Sequence, residues 1–235
     1  MLPGNEERLL RGALILAIML SKTVAYGDDL PYVPPPQGFV ESSTLVPVLK
    51  ERALLGHPAG TQLVGVYLLP DELSAIMHSA EEQLSIFCRA YVIHESATED
   101  DAKAFFRMLV ASAKEEGSKP FVLDDPESKR IVQHYIDATK QKLGEQVGLV
   151  GATILGSIVD TDDAYGGSMV VAATAQTSQG EIAIPLTGSV AWVRRGKQIL
   201  EMSDLAQFTG RDSIILAVTT VTNWVKALAD LGPHS

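Results

Sequence analysis

Three neighbouring carboxylates in the second half of the chain are the best candidates for chemistry. Asp160, Asp162 and Asp163 precede the pair Gly166 and Gly167 in the segment DTDDAYGG. Carboxylate oxygens arranged around a tight turn are ligands that Ca²⁺ prefers. The segment lacks the spacing and the distal Glu of an EF-hand loop, and acids with glycines are equally typical of an exposed hairpin turn. We therefore favour a structural turn, with calcium binding as the alternative, and we predict no cofactor.

The remaining candidates are one cysteine and five scattered histidines, none of which forms a recognisable catalytic motif. No two of the histidines have the spacing of a metal-binding helix; they are His57, His78, His94, His134 and His234. Cys88 lies on an apolar strand face without a nearby cation, which is typical of an inert buried thiol. The sequence therefore favours a protein that is not an enzyme. The alternative is a site that the fold assembles from distant residues such as His94, Asp160 and Asp162.

Composition limits the classes of partner. The 235-residue chain has a formal net charge of −10, which disfavours nucleic acids and anionic membrane surfaces because both require a basic face. A single cysteine excludes an intramolecular disulfide, so packing must provide the stability. The chain has one basic cluster, on a predicted helix, and we expect it to be solvated, with docking of an acidic partner as the alternative. This cluster consists of Lys129, Arg130, Lys140 and Lys142.

The N-terminus is typical of an exported protein. Arg8 and Arg11 precede the apolar run 12–20, and residues 23–25 provide the small side chains that a signal peptidase recognises. The run is about half of the ~20 residues that a membrane-spanning helix requires. We predict a signal peptide over 1–25, cleavage after Ala25, no membrane span after cleavage, and a periplasmic or extracellular location. A retained, tethering leader is the alternative.

Residues 26–38 contain four prolines and are predicted to form an extended linker. The run Pro34 to Pro36 has an alternative role as a ligand for an aromatic groove.

Residues 39–232 are predicted to form one α+β domain. Apolar alternation and turn residues predict strands, and apolar stripes at helical spacing predict helices. The strand candidates are 39–42, 61–69, 84–94, 147–159, 168–177, 181–193 and 198–202, and the helix candidates are 43–55, 71–79, 98–117, 124–144 and 212–231. Short connections favour antiparallel pairing, so we expect a curved, mainly antiparallel sheet with helices packed against one face.

The order of these elements resembles the PsbP-like α/β/α sandwich family. The resemblance rests on the leader, the Pro-rich lead into 38–40, paired helices, a meander that ends at 196–200, and a final helix containing Asn223, Trp224 and Val225. It covers most of 38–231 as a pattern and transfers no functional residue. It implies an accessory or assembly protein of the cell envelope without chemistry of its own. We therefore expect a non-catalytic binding or assembly module with an envelope protein as partner, in an oligomeric state that the sequence leaves open. The alternative is a small-molecule-binding protein or a hydrolase.

Overall fold

The part of the chain that the structure describes contains seven strands and four helices, and strands and helices alternate only up to the fourth strand. The computed structural model describes residues 30–54, 60–78, 86–117, 147–177 and 180–232. The predicted leader 1–25 and the predicted helix 124–144 lie outside these ranges. The strands are β1 (Val40–Glu41), β2 (Gln62–Leu68), β3 (Ile86–Glu95), β4 (Val147–Asp160), β5 (Ala164–Thr177), β6 (Gly180–Arg195) and β7 (Gln198–Gln207). The helices are α1 (Pro47–Ala53), α2 (Pro70–His78), α3 (Glu99–Gly117) and α4 (Arg211–Asp230).

All seven strands belong to one open sheet in the order β1-β2-β3-β7-β6-β5-β4. Every neighbouring pair is antiparallel. The turn between β6 and β7 shows how local sequence sets the register: Arg195 is aligned with Gln198, so the turn has only two residues. The first of them, Gly196, has φ +56°, a left-handed conformation that favours glycine in such hairpins. The predicted α+β class and the antiparallel sheet are confirmed.

Helices cover both faces of the sheet, which corrects the expectation of a single covered face. Cys88 and Ala90 of β3 pack with α4, as the predicted alternation requires. The intervening side chains are also covered, because Phe87 packs with α1 and α2, and Ile93 packs with α3. A strand that is apolar on both faces must be buried on both. Among the described helices, none has the length and hydropathy needed to cross a membrane.

The buried stripe of α4 differs from the predicted one at its N-terminal end. Val221 and Trp224 are buried as expected, whereas Ile215 is 49% exposed. Ser213 and Ala217 occupy the buried positions instead. These small side chains lie four residues apart and in line with Val221, so the first turns of α4 contact the sheet through a different stripe.

The Pro-rich segment lies against the domain in its described part, residues 30–38. Its buried residues, Val33 and Pro36, lie three positions apart, and the Phe39 amide then donates to the Pro36 carbonyl at 3.0 Å across a turn. A period of three is that of the polyproline II helix. Val33 and Phe39 belong to the same apolar cluster as Trp224 of α4.

Candidate functional site

The acidic segment forms a shorter turn than the sequence predicted. Strand β4 extends through Asp160 and β5 begins at Ala164, so only 161–163 connect them. The Thr161 amide donates to the Ala164 carbonyl at 2.8 Å, and the Thr161 hydroxyl accepts from the Ala164 amide at 2.9 Å. Gly166 and Gly167, expected in the connection, are strand residues. A Cβ at Gly166 would lie 2.5 Å from the carbonyl oxygen of Val190, so close strand approach explains this glycine.

Two of the three carboxylates are held by cations from different elements. Asp160 Oδ2 lies 2.7 Å from Lys114 Nζ of α3. Asp163 forms an ion pair with Arg194 of β6, whose Nε donates to Asp163 Oδ1 at 3.0 Å. Such exposed pairs contribute only about 0–1 kcal/mol each. Lys114 also lies 5.3 Å from the ring centroid of Tyr165. Within the described ranges, no three His, Cys, Asp or Glu side chains are grouped in a way that could hold a metal ion.

A calcium titration tests the metal interpretation directly. Because Asp160 and Asp163 are directed to Lys114 and Arg194, a Ca²⁺ ion would have to displace two ion pairs to gather the carboxylates. We expect no binding heat by calorimetry and no change in melting temperature on adding CaCl₂. An Asp162→Asn variant should behave as the wild type. A rise in melting temperature that the Asp162→Asn variant abolishes would restore the calcium site.

An open cleft of about 400 Å³ lies between α3 and the β4–β5 turn. Helix α3 provides apolar side chains and two cations, and the turn provides acids. The lining residues are Phe106, Arg107, Val110, Ala111, Lys114, Asp160, Thr161 and Asp162. Its volume is at the small end of ligand pockets, and its lining suits a small molecule with both apolar and charged groups.

His94 does not line this cleft. Its ring stacks on Phe105 with centroids 3.8 Å apart, and Nε2 lies 2.9 Å from the Ser96 hydroxyl. His94 is aligned with Ile199, which is aligned with Arg194, so β7 and β6 separate it from the β4–β5 turn. At roughly 4.8 Å for each strand, the separation is about 14 Å. The distant combination of His94 with Asp160 and Asp162 is therefore not brought together at one point.

The other predicted candidates have no assembled site. His78 lies on α2 with Nδ1 2.7 Å from the Ser74 carbonyl. Cys88 is fully buried, as predicted, and burial raises the pKa of its thiol. His57, His134 and His234 lie outside the described residues, as does the basic cluster, which consists of Lys129, Arg130, Lys140 and Lys142.

Strand β7 contains one buried carboxyl, that of Asp204, and one partly buried carboxyl, that of Glu201, which the sequence analysis missed. Asp204 is 3% exposed and its Oδ1 accepts from the Ser189 amide at 2.6 Å, whereas its Oδ2 has no hydrogen-bond partner. Burial raises the pKa of Asp204 to about 8. On the opposite face, Glu201 accepts from Trp192 Nε1 at 3.2 Å, and burial raises the pKa of Glu201 as well.

The alternation along the strand could have identified Asp204 as buried, because Asp204 lies on the same face as Leu200 and Met202. The predicted strand ends at Met202. Pairing with β3 on one side and β6 on the other extends β7 to Gln207 instead, since tertiary context overrides local preference.

The fold defines an α+β protein with an open antiparallel sheet and helices on both faces. No family model and no curated protein matches the chain. Among solved structures, the Ran-binding protein Mog1p of Saccharomyces cerevisiae is similar at 12% identity, with 83% of this chain and 85% of that chain covered and a TM-score of 0.27. The extracellular domain of PknH from Mycobacterium tuberculosis has 13% identity, coverage of 96% and 98%, and a TM-score of 0.27. Similarities this low indicate neither a shared function nor a shared partner.

Proposed function

We propose that this chain is a non-catalytic binding or assembly module of the cell envelope, and the observation that carries the proposal is an uncharged edge of the sheet. The two outermost strands at this side are β4 and β5. Residues 147–159 and 164–177, which we call the uncharged edge, contain no charged residue in a chain of net charge −10. Ile154 and Leu155 are 45% and 46% exposed there. Apolar, charge-depleted surface of this kind is typical of the core of a protein interface.

The mode of contact follows from the irregularity of β4. Three register shifts interrupt its pairing with β5, between Leu149 and Gly151, between Ile154 and Gly156, and between Ser157 and Val159. Such irregularities hinder the continuous addition of another strand to an edge. The partner therefore binds through exposed apolar side chains, of which Leu155 stands at one of the shifts.

The groups that the sequence offered for catalysis support a non-catalytic role. Cys88 is buried, His94 is stacked on Phe105, and Asp160 and Asp163 are paired with cations. The leader motivates an envelope location, and the order of elements, which resembles the PsbP-like family, motivates an accessory role.

Leu155→Glu is expected to abolish partner capture without unfolding the protein. A charge in the middle of an apolar interface must be desolvated without a partner, so recovery should fall by at least about tenfold, equivalent to ~1.4 kcal/mol. The measurement is a cross-linking pull-down of the full chain from its native envelope, quantified by mass spectrometry.

The matched control is Met77→Glu on α2, where the methionine is 60% exposed and distant in sequence from the uncharged edge. It should capture the same partner as the wild type, and both variants should retain the wild-type melting temperature. Equal recovery with Leu155→Glu and Met77→Glu would remove the uncharged edge as the interface.

The cleft between α3 and the β4–β5 turn favours a second candidate function, small-molecule binding. Arg107 of α3 and Asp162 of the turn are exposed and provide opposite charges on either side of the partly buried Val110. These groups can orient a ligand. His94 is not among the described residues that line the cleft, so the histidine suggested for a hydrolase is not part of it.

A further inference from the structure

The Pro-rich segment is held by three side-chain donors from distant parts of the chain. Their acceptors are the carbonyl oxygens of three successive residues, 32–34. Arg195 Nη1 donates to the carbonyl of residue 32 at 2.8 Å, the Tyr67 hydroxyl to that of residue 33 at 3.2 Å, and Trp224 Nε1 to that of residue 34 at 2.5 Å. Every successive carbonyl is thus bound individually. We call Tyr67, Arg195 and Trp224 the proline groove.

The proline groove is fixed by the fold rather than by the segment alone. The Tyr67 and Trp224 rings meet edge to face, with centroids 5.1 Å apart and an interplanar angle of 81°. Trp224 is 1% exposed and Tyr67 is 2% exposed. Arg195 is 9% exposed and also donates Nη2 to the Gly232 carbonyl at 3.2 Å, which orients its guanidinium.

The chemistry of this groove is that of polyproline recognition. A polyproline II segment makes no internal hydrogen bonds, so its carbonyls are free to accept. Domains that bind such segments use aromatic grooves, because the segment is already extended and loses little entropy on binding. Val33 and Pro36 are both buried and lie three residues apart, the spacing with which such a segment presents one edge to a groove before the chain turns at 37–38.

The segment is separable from the sheet. Residues 30–38 pair with no strand, and they join β1 through Gly38, which has φ +87° and no atom within 4 Å of a Cβ built on it. A rotation at Gly38 can therefore release the segment without breaking a strand pair.

We infer that the proline groove is a binding site for polyproline-type segments, occupied in cis by residues 32–36 and open to the same residues of a second copy. The partner that fits is a second copy of the chain, because each copy carries a segment that matches the groove. At low concentration the chain's own segment prevails, since a short tether gives an effective concentration in the millimolar range. The inference is independent of the uncharged edge.

The first test uses a fluorescent peptide with the sequence of residues 30–39. In a full-length Val33→Asp variant, a charge replaces a side chain that is 4% exposed, so the chain's own segment leaves the groove. We expect this variant to bind the peptide at least about tenfold more tightly than the wild type does, because the competitor is gone. Trp224→Phe in the same background should weaken binding by about tenfold, through the loss of one hydrogen bond. The matched control peptide carries Asp at the position of Val33 and should not bind.

The second test addresses the second copy. Full-length Val33→Asp supplies an open groove, and full-length Trp224→Phe supplies an intact segment beside a weakened groove. Mixed in equal amounts at about 1 mM each, which is comparable to the effective concentration of a tethered segment, the two variants should show a larger fraction of dimer by light scattering than either variant alone.

Should Val33→Asp fail to fold, Pro36→Gly replaces it, since it loosens the segment without placing a charge in the core. Absence of peptide binding in a folded variant, equal binding of the Asp peptide, or a mixture that stays monomeric would each overturn the inference.

Discussion

Replacing Asp204 by Asn is expected to make the stability fall less steeply between pH 5 and pH 8 than it does in the wild type. The carboxyl is 3% exposed, and burial raises its pKa from an ordinary value of 3.8 to about 8. The Ser189 amide and the more distant Arg89 favour the charged form but do not offset burial. In the folded protein Asp204 is therefore neutral at pH 7, whereas in the unfolded chain it is ionised.

The sign follows from proton linkage. A group whose pKa is raised by folding contributes its full stability below the unfolded pKa, and this contribution is lost as the pH rises towards the folded pKa. Within this window the unfolding free energy falls by about 1.4 kcal/mol per pH unit. Between pH 5 and pH 8 the wild type should therefore lose about 4 kcal/mol relative to Asp204→Asn.

Urea denaturation of both proteins at pH 5, 6, 7 and 8 provides the measurement. Asn retains an oxygen that can accept from the Ser189 amide, so the comparison concerns the slope with pH and not the offset between the curves. Glu201 is present in both proteins, and its contribution cancels. Asp162→Asn, at an exposed turn position, is the control and should show the wild-type slope. Parallel curves for wild type and Asp204→Asn would show that Asp204 is ionised in the folded state.

The strand pattern was predictable wherever burial follows alternation. Ile86, Cys88, Ala90 and Val92 of β3 alternate along the strand and lie in one cluster, as predicted. The covering of the opposite face was not predictable in the same way. Arg89 and Tyr91 make that face look half-polar, yet the Tyr91 hydroxyl donates to the Ala53 carbonyl of α1 at 2.6 Å. In the sequence alone, a polar side chain with a buried hydrogen-bond partner looks the same as one that faces solvent.

The candidate site was predictable in location but not in chemistry. The β4–β5 turn was predicted near Asp160. The chemistry of its carboxylates, however, depends on ion pairs with Lys114 and Arg194, which are 46 and 31 residues from their partners. The glycine pair was wrongly predicted to lie in the turn for a related reason. Gly166 lies in β5, where the close approach of Val190 in the next strand leaves no room for a Cβ. Contacts across such distances are set by strand order, which local patterns do not specify.

The proline groove and its occupant are also far apart in the sequence. The hydrogen bond from Trp224 to Pro34 joins residues 190 positions apart. The prolines alone indicated an extended segment, and only the sheet order brings β2, the end of β6 and α4 to it. A free linker and a bound polyproline segment have the same composition. They differ only in whether the fold provides a groove whose side chains donate hydrogen bonds to the segment.

Trp224→Ala is expected to produce the largest loss of stability of any single substitution discussed for this chain. Trp224 is the largest fully buried side chain in the described ranges, and its removal leaves a cavity against Tyr67 and unpairs the Pro34 carbonyl. Truncation of a buried tryptophan costs about 3–5 kcal/mol. Urea denaturation followed by circular dichroism measures the change.

Two further substitutions separate the contributions of the Trp224 ring and its hydrogen bond. Trp224→Phe keeps most of the ring and loses only the donor to Pro34, so we expect a loss of about 1–2 kcal/mol. Tyr32→Ala is the exposed aromatic control: its side chain is 61% exposed, and its carbonyl, which accepts from Arg195, is unchanged. It should be neutral within about 0.5 kcal/mol. Equal losses for Trp224→Ala and Trp224→Phe would assign the stability to the hydrogen bond, and hence to the held segment, rather than to the packing of α4 on the sheet.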